Sequence, residues 1–154
     1  MFEKILVPLD GSRFGTKALP YAIEIAKRFD SELVLMKVVF PTIPGHVMSL
    51  NVEATEIAKK AAHIQDRKHV NNAKRYLGRK LRNIKSEGIE ASYSVIIGDP
   101  TRSIMSFIKK EHIDLVVMTT HGKSGFKRAV MGSVADAVIR ESLKPVLVIR
   151  AKKK

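Results

Sequence analysis

The chain alternates short, wholly apolar runs with longer stretches in which apolar residues recur every three or four positions. In "EKILVPLD", residues 3–10, Ile5, Leu6 and Val7 form a continuous run before Pro8, as in a strand buried on both faces. Ala18, Leu19, Ala22, Ile23 and Ala26 then fall on one side of a helix, with Pro20 near its first turn. "ELVLMKVV" (32–39) reads as a second strand, and "FPTIPGHVMS" (40–49), with two prolines and a glycine, as a loop. A long polar helix is predicted from Val52 to Ser86, and Gly88 supplies its stop. "EASYSVIIG" (90–98) is the third strand. Asp99 and Pro100 follow as N-cap and first residue of a helix that buries Ile104, Phe107 and Ile108. "IDLVVMT" (113–119) is the fourth strand, with its helix from about Ser133 to Leu143. "KPVLVIR" (144–150) is the fifth, and Lys152 to Lys154 form a basic tail.

Strands alternating with helices, several of them apolar throughout, predict a parallel sheet covered on both faces, an α/β domain of the doubly wound kind. Ligands of such sheets bind beyond the carboxyl ends of the strands, where the winding reverses. If strand one is central and the winding reverses between strands one and four, the crevice lies between Pro8-Leu9-Asp10 and the segment after strand four. That segment, in "VVMTTHGKSGFKRAVMGSVADAVIR" (116–140), is longer than the two to six residues such connections commonly use. It contains Gly122, Gly125 and Gly132 with Lys123, Lys127 and Arg128. Gly132 and Ser133 sit at a helix N-terminus, where free N–H groups and the helix dipole favour anions. Ser133 with Asp136 fits a capping box, and Gly122 lets the backbone approach a phosphate closely. No GxxxxGK[ST] follows strand one, and no GxGxxG is present.

Composition narrows the classes. At 154 residues, 45% of them hydrophobic, the chain suits one globular domain, residues 1–154. The absence of cysteine removes disulfides, thiolate metal sites and cysteine nucleophiles. The first residues lack the pattern of a signal peptide, so a cytoplasmic location is expected. A formal charge of +13 favours anionic partners. His46, His63, His69 and His112 show no metal-ligand spacing and are expected to face solvent or cap, and no catalytic constellation is legible. The long helix carries ten Lys or Arg between Lys59 and Lys85 against one acid, Asp66, with Tyr76 its one aromatic there. That pattern suits weak, non-specific attraction to nucleic acid and not base stacking.

Four segments together, "KILVPLDGS", "VIIGDP", "DLVVMTTHGKSG…MGSV" and "KPVLVIR", resemble the universal stress protein family over essentially the full length. The resemblance implies a flavodoxin-like, adenine nucleotide alpha hydrolase-like fold with five strands in the order 3-2-1-4-5, usually dimeric. The nucleotide-binding branch of that family carries G-x2-G-x9-G-[ST]. Here Gly122, the spacer 123–131 and Gly132-Ser133 match, and Thr119 replaces the first glycine. By that resemblance Pro8 and Leu9 line the crevice, and Asp10 lies near the ribose or a phosphate-bound magnesium. Val38 offers backbone hydrogen bonds to adenine; Met118, Thr119, His121 and Gly122 surround ribose and phosphates; and Gly132, Ser133 and Val134 hold the phosphates. The implied cofactor is ATP or ADP with magnesium, and the implied role a nucleotide-dependent stress-response regulator or adaptor with at most slow hydrolysis. The rival reading is a nucleotide-free dimeric scaffold, for which Thr119 is the best argument. An adenylate-chemistry enzyme is disfavoured by the missing HxGH and SGGxDS signatures. The fifth strand, Val146 to Ile149, is expected at a sheet edge, paired with its twin in a homodimer.

Overall fold

The computed structural model describes residues 1–42, 52–120 and 131–150, with side chains of α2 described from Glu56 onward. His46, His121, Gly122, Gly125, Lys123, Lys127, Arg128 and the tail 151–154 lie outside the described residues. The elements follow one another as β1 (Lys4–Pro8), α1 (Leu19–Phe29), β2 (Glu32–Val39), α2 (Val52–Ser86), β3 (Ala91–Ile97), α3 (Pro100–Lys110), β4 (Leu115–Thr119), α4 (Ser133–Glu141) and β5 (Val146–Ile149). A short 3₁₀ turn, Gly15–Ala18, leads into α1, whose first turn holds Pro20 where its missing N–H costs nothing.

The five strands form one parallel sheet in the order β3-β2-β1-β4-β5. Alternation along β2 divides the core. Leu33 and Leu35 pack with Ala18, Ala22, Leu77 and Ile84 beneath α1 and α2. Val34 and Met36 pack with Ile104, Ile108, Ala135 and Val138 beneath α3 and α4. Two helices on each face, with β1 central, is the doubly wound arrangement that right-handed crossovers impose when the chain reverses direction after β3.

That reversal opens the sheet. β1 and β4 are in register only at Ile5↔Leu115 and Leu6↔Val116, whereas β4 stays with β5 as far as Thr119↔Ile149. The carboxyl ends of β1 and β4 therefore diverge, and side chains from both line the gap.

Local signals explain the helix ends. Asp99 accepts from the Arg102 N–H at 2.9 Å with Pro100 behind it, the expected N-cap. Gly88, at φ +79°, follows the last turn of α2. The capping box expected at α4 does not form: Gly132 is the N-cap and makes no side-chain cap bond. Asp136 pairs with Arg140 at 2.7 Å, one turn on, an i,i+4 partner that competes with the reach back to the cap. His63, His69 and His112 are exposed, as expected. Among the described residues, no helix is long and apolar enough to cross a membrane.

Candidate functional site

A cavity of about 400 Å³ occupies the gap between the ends of β1 and β4. Its floor comes from the carboxyl ends of three strands: Pro8, the last residue of β1, with Leu9 just after it, Met36 and Val38 on β2, and Met118 and Thr119 on β4. The first turn of α4 closes one side with Gly132, Ser133 and Val134. Nine of the eleven residues named from sequence line this one crevice; His121 and Gly122 lie outside the described residues.

Asp10 is held in place by its own turn. Its Oδ1 accepts from the Ser12 N–H at 2.9 Å and from the Ser12 hydroxyl at 2.7 Å, the side-chain turn that Asp favours. Gly11 takes φ +89°, a conformation cheap only for glycine. Gly15 packs so closely that a Cβ there would stand 2.7 Å from Asp10 Oδ1. On the far side of the sheet, Lys37 Nζ donates to the Asp10 carbonyl at 2.5 Å and lies 5.8 Å from the Tyr76 ring centroid. Among the described residues, these contacts leave Asp10 Oδ2 buried without a hydrogen-bond partner, in a residue that lines the cavity. Buried carboxylate oxygens normally have partners, so this one is suited to a donor arriving from the cavity. Among the described residues the Tyr76 hydroxyl is also buried and unpartnered, and burial followed by the Asp10 charge pushes its pKa above the ordinary tyrosine value, against the opposing pull of Arg79.

Strand register decides what Val38 offers. Met36 O accepts from the Leu9 N–H at 2.7 Å, so the polar groups of even-numbered β2 residues point towards β1. Val39 O accepts from Gly98 N on the other side. Val38 lies two residues beyond Met36, the partner of the last β1 residue, Pro8. Its backbone donor and acceptor therefore point past the end of β1, towards the crevice.

At α4 the geometry revises one expectation. The Gly132 N–H donates to Thr120 O at 2.8 Å, so it is not the phosphate donor the sequence suggested. A Cβ on Gly132 would meet that carbonyl at 3.1 Å, which makes the glycine a close-approach residue. The N–H groups of Ser133, Val134 and Ala135 belong to the first turn, which has no intrahelical acceptors for them.

Sequence reasoning missed Met36, Phe40, Gly15, Pro100, Ile104, Thr120 and Ala135 as cavity residues. Met36 and Phe40 were within reach, since period two puts them on the Val38 face of β2. Pro100 and Ile104 come from the first two turns of α3, which only the crossover after β3 brings to this side. Among the described residues, no group of three acidic, His or Cys side chains could hold a metal ion. Asp10 is thus a lone carboxylate, and any magnesium here would have to share its ligands with a bound molecule.

A family model described as the universal stress protein family matches residues 1–150. Universal stress protein MJ0531 of Methanocaldococcus jannaschii is 32% identical over 164 residues, covering 100% of this chain and 85% of the relative. The solved structure of MJ0577, from the same organism, superposes with a TM-score of 0.85 at 25% identity, covering 100% of this chain and 99% of that one. A universal stress protein of Archaeoglobus fulgidus, solved in complex with dAMP, has a TM-score of 0.62 at 20% identity, covering 96% and 98% of the two chains. That last likeness is one of fold.

Proposed function

The chain belongs to the universal stress protein family, and we propose that it binds ATP or ADP in the β1/β4 crevice and acts as a nucleotide-dependent stress-response regulator or adaptor. The observation that carries this reading is the pairing, across one 400 Å³ cavity, of the unpartnered Asp10 Oδ2 with the open first turn of α4. The volume lies within the range of small-molecule pockets, about 300–1,000 Å³. A nucleotide fits the donor set: a hydroxyl for the lone Asp10 oxygen, phosphates for the N–H groups at α4, and a base edge for the Val38 backbone. The dAMP-bound relative in fold supports the same class of ligand.

In this reading Asp10 orients the sugar, Ser133 and Val134 neutralise phosphate charge, and Leu9, Met36 and Met118 exclude water from the base. Lys37 fixes the Asp10–Gly11 peptide from behind. A nucleotide bound there supplies a polyanion whose phosphate count distinguishes one state of the protein from another, and magnesium would come with the phosphates, with Asp10 as the protein ligand within reach. Thr119 narrows the phosphate end of the crevice and selects among nucleotides without closing it.

Mass spectrometry of the small molecules released when the purified protein is denatured tests the reading. About one adenine nucleotide per chain is expected. Protein that carries none, and takes up none when supplied, would favour the nucleotide-free scaffold.

A further inference from the structure

We propose that the outward face of α2 is a docking track for duplex nucleic acid, read through its phosphates and without base specificity. Arg67, Lys68, Lys74, Arg75, Arg79, Arg82 and Lys85 are all exposed or partly exposed. At 3.6 residues per turn they fall within about 140° of arc, on the side turned away from the buried Ala73, Leu77 and Ile84. From Arg67 to Lys85 the row runs about 27 Å along the axis. A duplex of that length presents about sixteen phosphates, at one charge per 1.7 Å or so.

A helix face built only for solubility mixes signs, because Glu–Lys pairs at i,i+4 support the helix and mutual repulsion of like charges weakens it. This face has no such mixing. Among the described residues none of the seven joins an ion pair; Arg75 donates to Asn72 Oδ1. The single acid within the run, Asp66, turns the other way and accepts from Thr42 N at 2.8 Å and Thr42 Oγ1 at 2.5 Å. Those bonds lower its pKa and anchor it off the track.

Gly78 is the independent observation. It stands inside α2, where glycine is the least favourable residue after proline. Packing does not require it, since a Cβ there would meet nothing within 4 Å. It lies at the middle of the basic arc, one turn from Lys74 and from Arg82. A missing side chain at that point lets a phosphate backbone settle against the helix between flanking cations.

A membrane surface fits less well. The apolar stripe of α2 is buried against the sheet, and the exposed large apolar residues of this helix, Ile57 and Ile64, both precede the track. Duplex binding here is independent of any nucleotide in the crevice.

Fluorescence anisotropy of a labelled, mixed-sequence 20-base-pair DNA duplex, titrated with the whole protein at several salt concentrations, is the test. Wild type should bind at 50 mM salt, with log K falling linearly in log salt. Neutralising three positions together (Arg75→Gln, Arg79→Gln, Arg82→Gln) should weaken binding at least ten-fold and flatten the slope by about 2.7, at about 0.9 per phosphate contact. The matching Arg→Lys triple should keep both. Gly78→Leu should keep or raise the melting temperature while weakening duplex binding. No binding by wild type at 50 mM salt, or a Gln triple with an unchanged slope, overturns the proposal. So does capture by phosphatidylserine vesicles without duplex binding.

Discussion

Asp10 and Gly132 define the two ends of the crevice, and Gly132 supports a sharp substitution. Gly132 has φ −65° and ψ 146°, which valine adopts without strain, so the fold should survive Gly132→Val. The new branches would crowd Thr120 O, 3.1 Å from the Cβ, and push phosphates off the first turn of α4. Losing one charge-assisted hydrogen bond removes about 1.5–3 kcal/mol, a ten-fold or greater rise in Kd for ATP by titration calorimetry. Thr119→Gly should tighten binding or leave it unchanged if the buried threonine only narrows the site; weaker binding would make its hydroxyl a ligand contact. Tyr76 gives a readout of the Asp10 surroundings that needs no ligand. Its burial and the Asp10 charge raise its pKa, so the folded protein holds that proton above pH 10, the ordinary tyrosine value. A group raised in this way contributes stability below its unfolded pKa and loses it as pH rises through the folded value. In an alkaline absorbance titration, Tyr76→Phe should delete a step lying above pH 10. If the two curves differ only at lower pH, the placement of Tyr76 is wrong.

At the scale of elements, the sequence was most legible where a local chemical device fixes a boundary. The α2 limits follow from its long polar helical period and Gly88, and the start of α3 from Asp99-Pro100. Asp99→Ala should lower stability by about 1 kcal/mol, seen as a reduced melting temperature with unchanged secondary structure. An unchanged melting temperature would mean that solvent replaces the cap without loss. The misreading at α4 has a physical cause. Ser133 and Asp136 have the capping-box spacing, but Gly132 provides the extended residue before the helix and Arg140 offers Asp136 a closer charge. Site residues contributed by strand ends near each other in the motif, such as Pro8 to Asp10 and Met118 to Thr119, were also legible. Pro100 and Ile104 were not, because the crossover after β3 brings α3 to the crevice and leaves no local mark in the chain.

On the scale of the whole molecule, the order β3-β2-β1-β4-β5 leaves β5 at an edge, as expected, with β3 at the other. Thr120 N donates to Ile149 O, and Val116 N to Pro145 O, so odd-numbered residues of β5 face β4. Val146 and Val148 thus direct their backbone donors outward, ready for a second copy of the strand. We expect light scattering at micromolar concentration to give twice the 17.2 kDa chain mass. Val148→Pro removes an outward N–H and no bond to β4, so it should yield folded monomer. A monomeric wild type, or a proline variant that remains fully dimeric, would refute pairing through this edge. The expected β5 pairing and the proposed α2 track use different surfaces, while the crevice lies at the carboxyl end of the sheet, so the three can be tested separately. The central claim is the crevice. Titration calorimetry of wild type with ATP and magnesium tests it most directly: saturable uptake of about one nucleotide per chain, weakened ten-fold or more by Gly132→Val, is the predicted result. No heat up to millimolar ATP, from protein that also carries no nucleotide through purification, would contradict it.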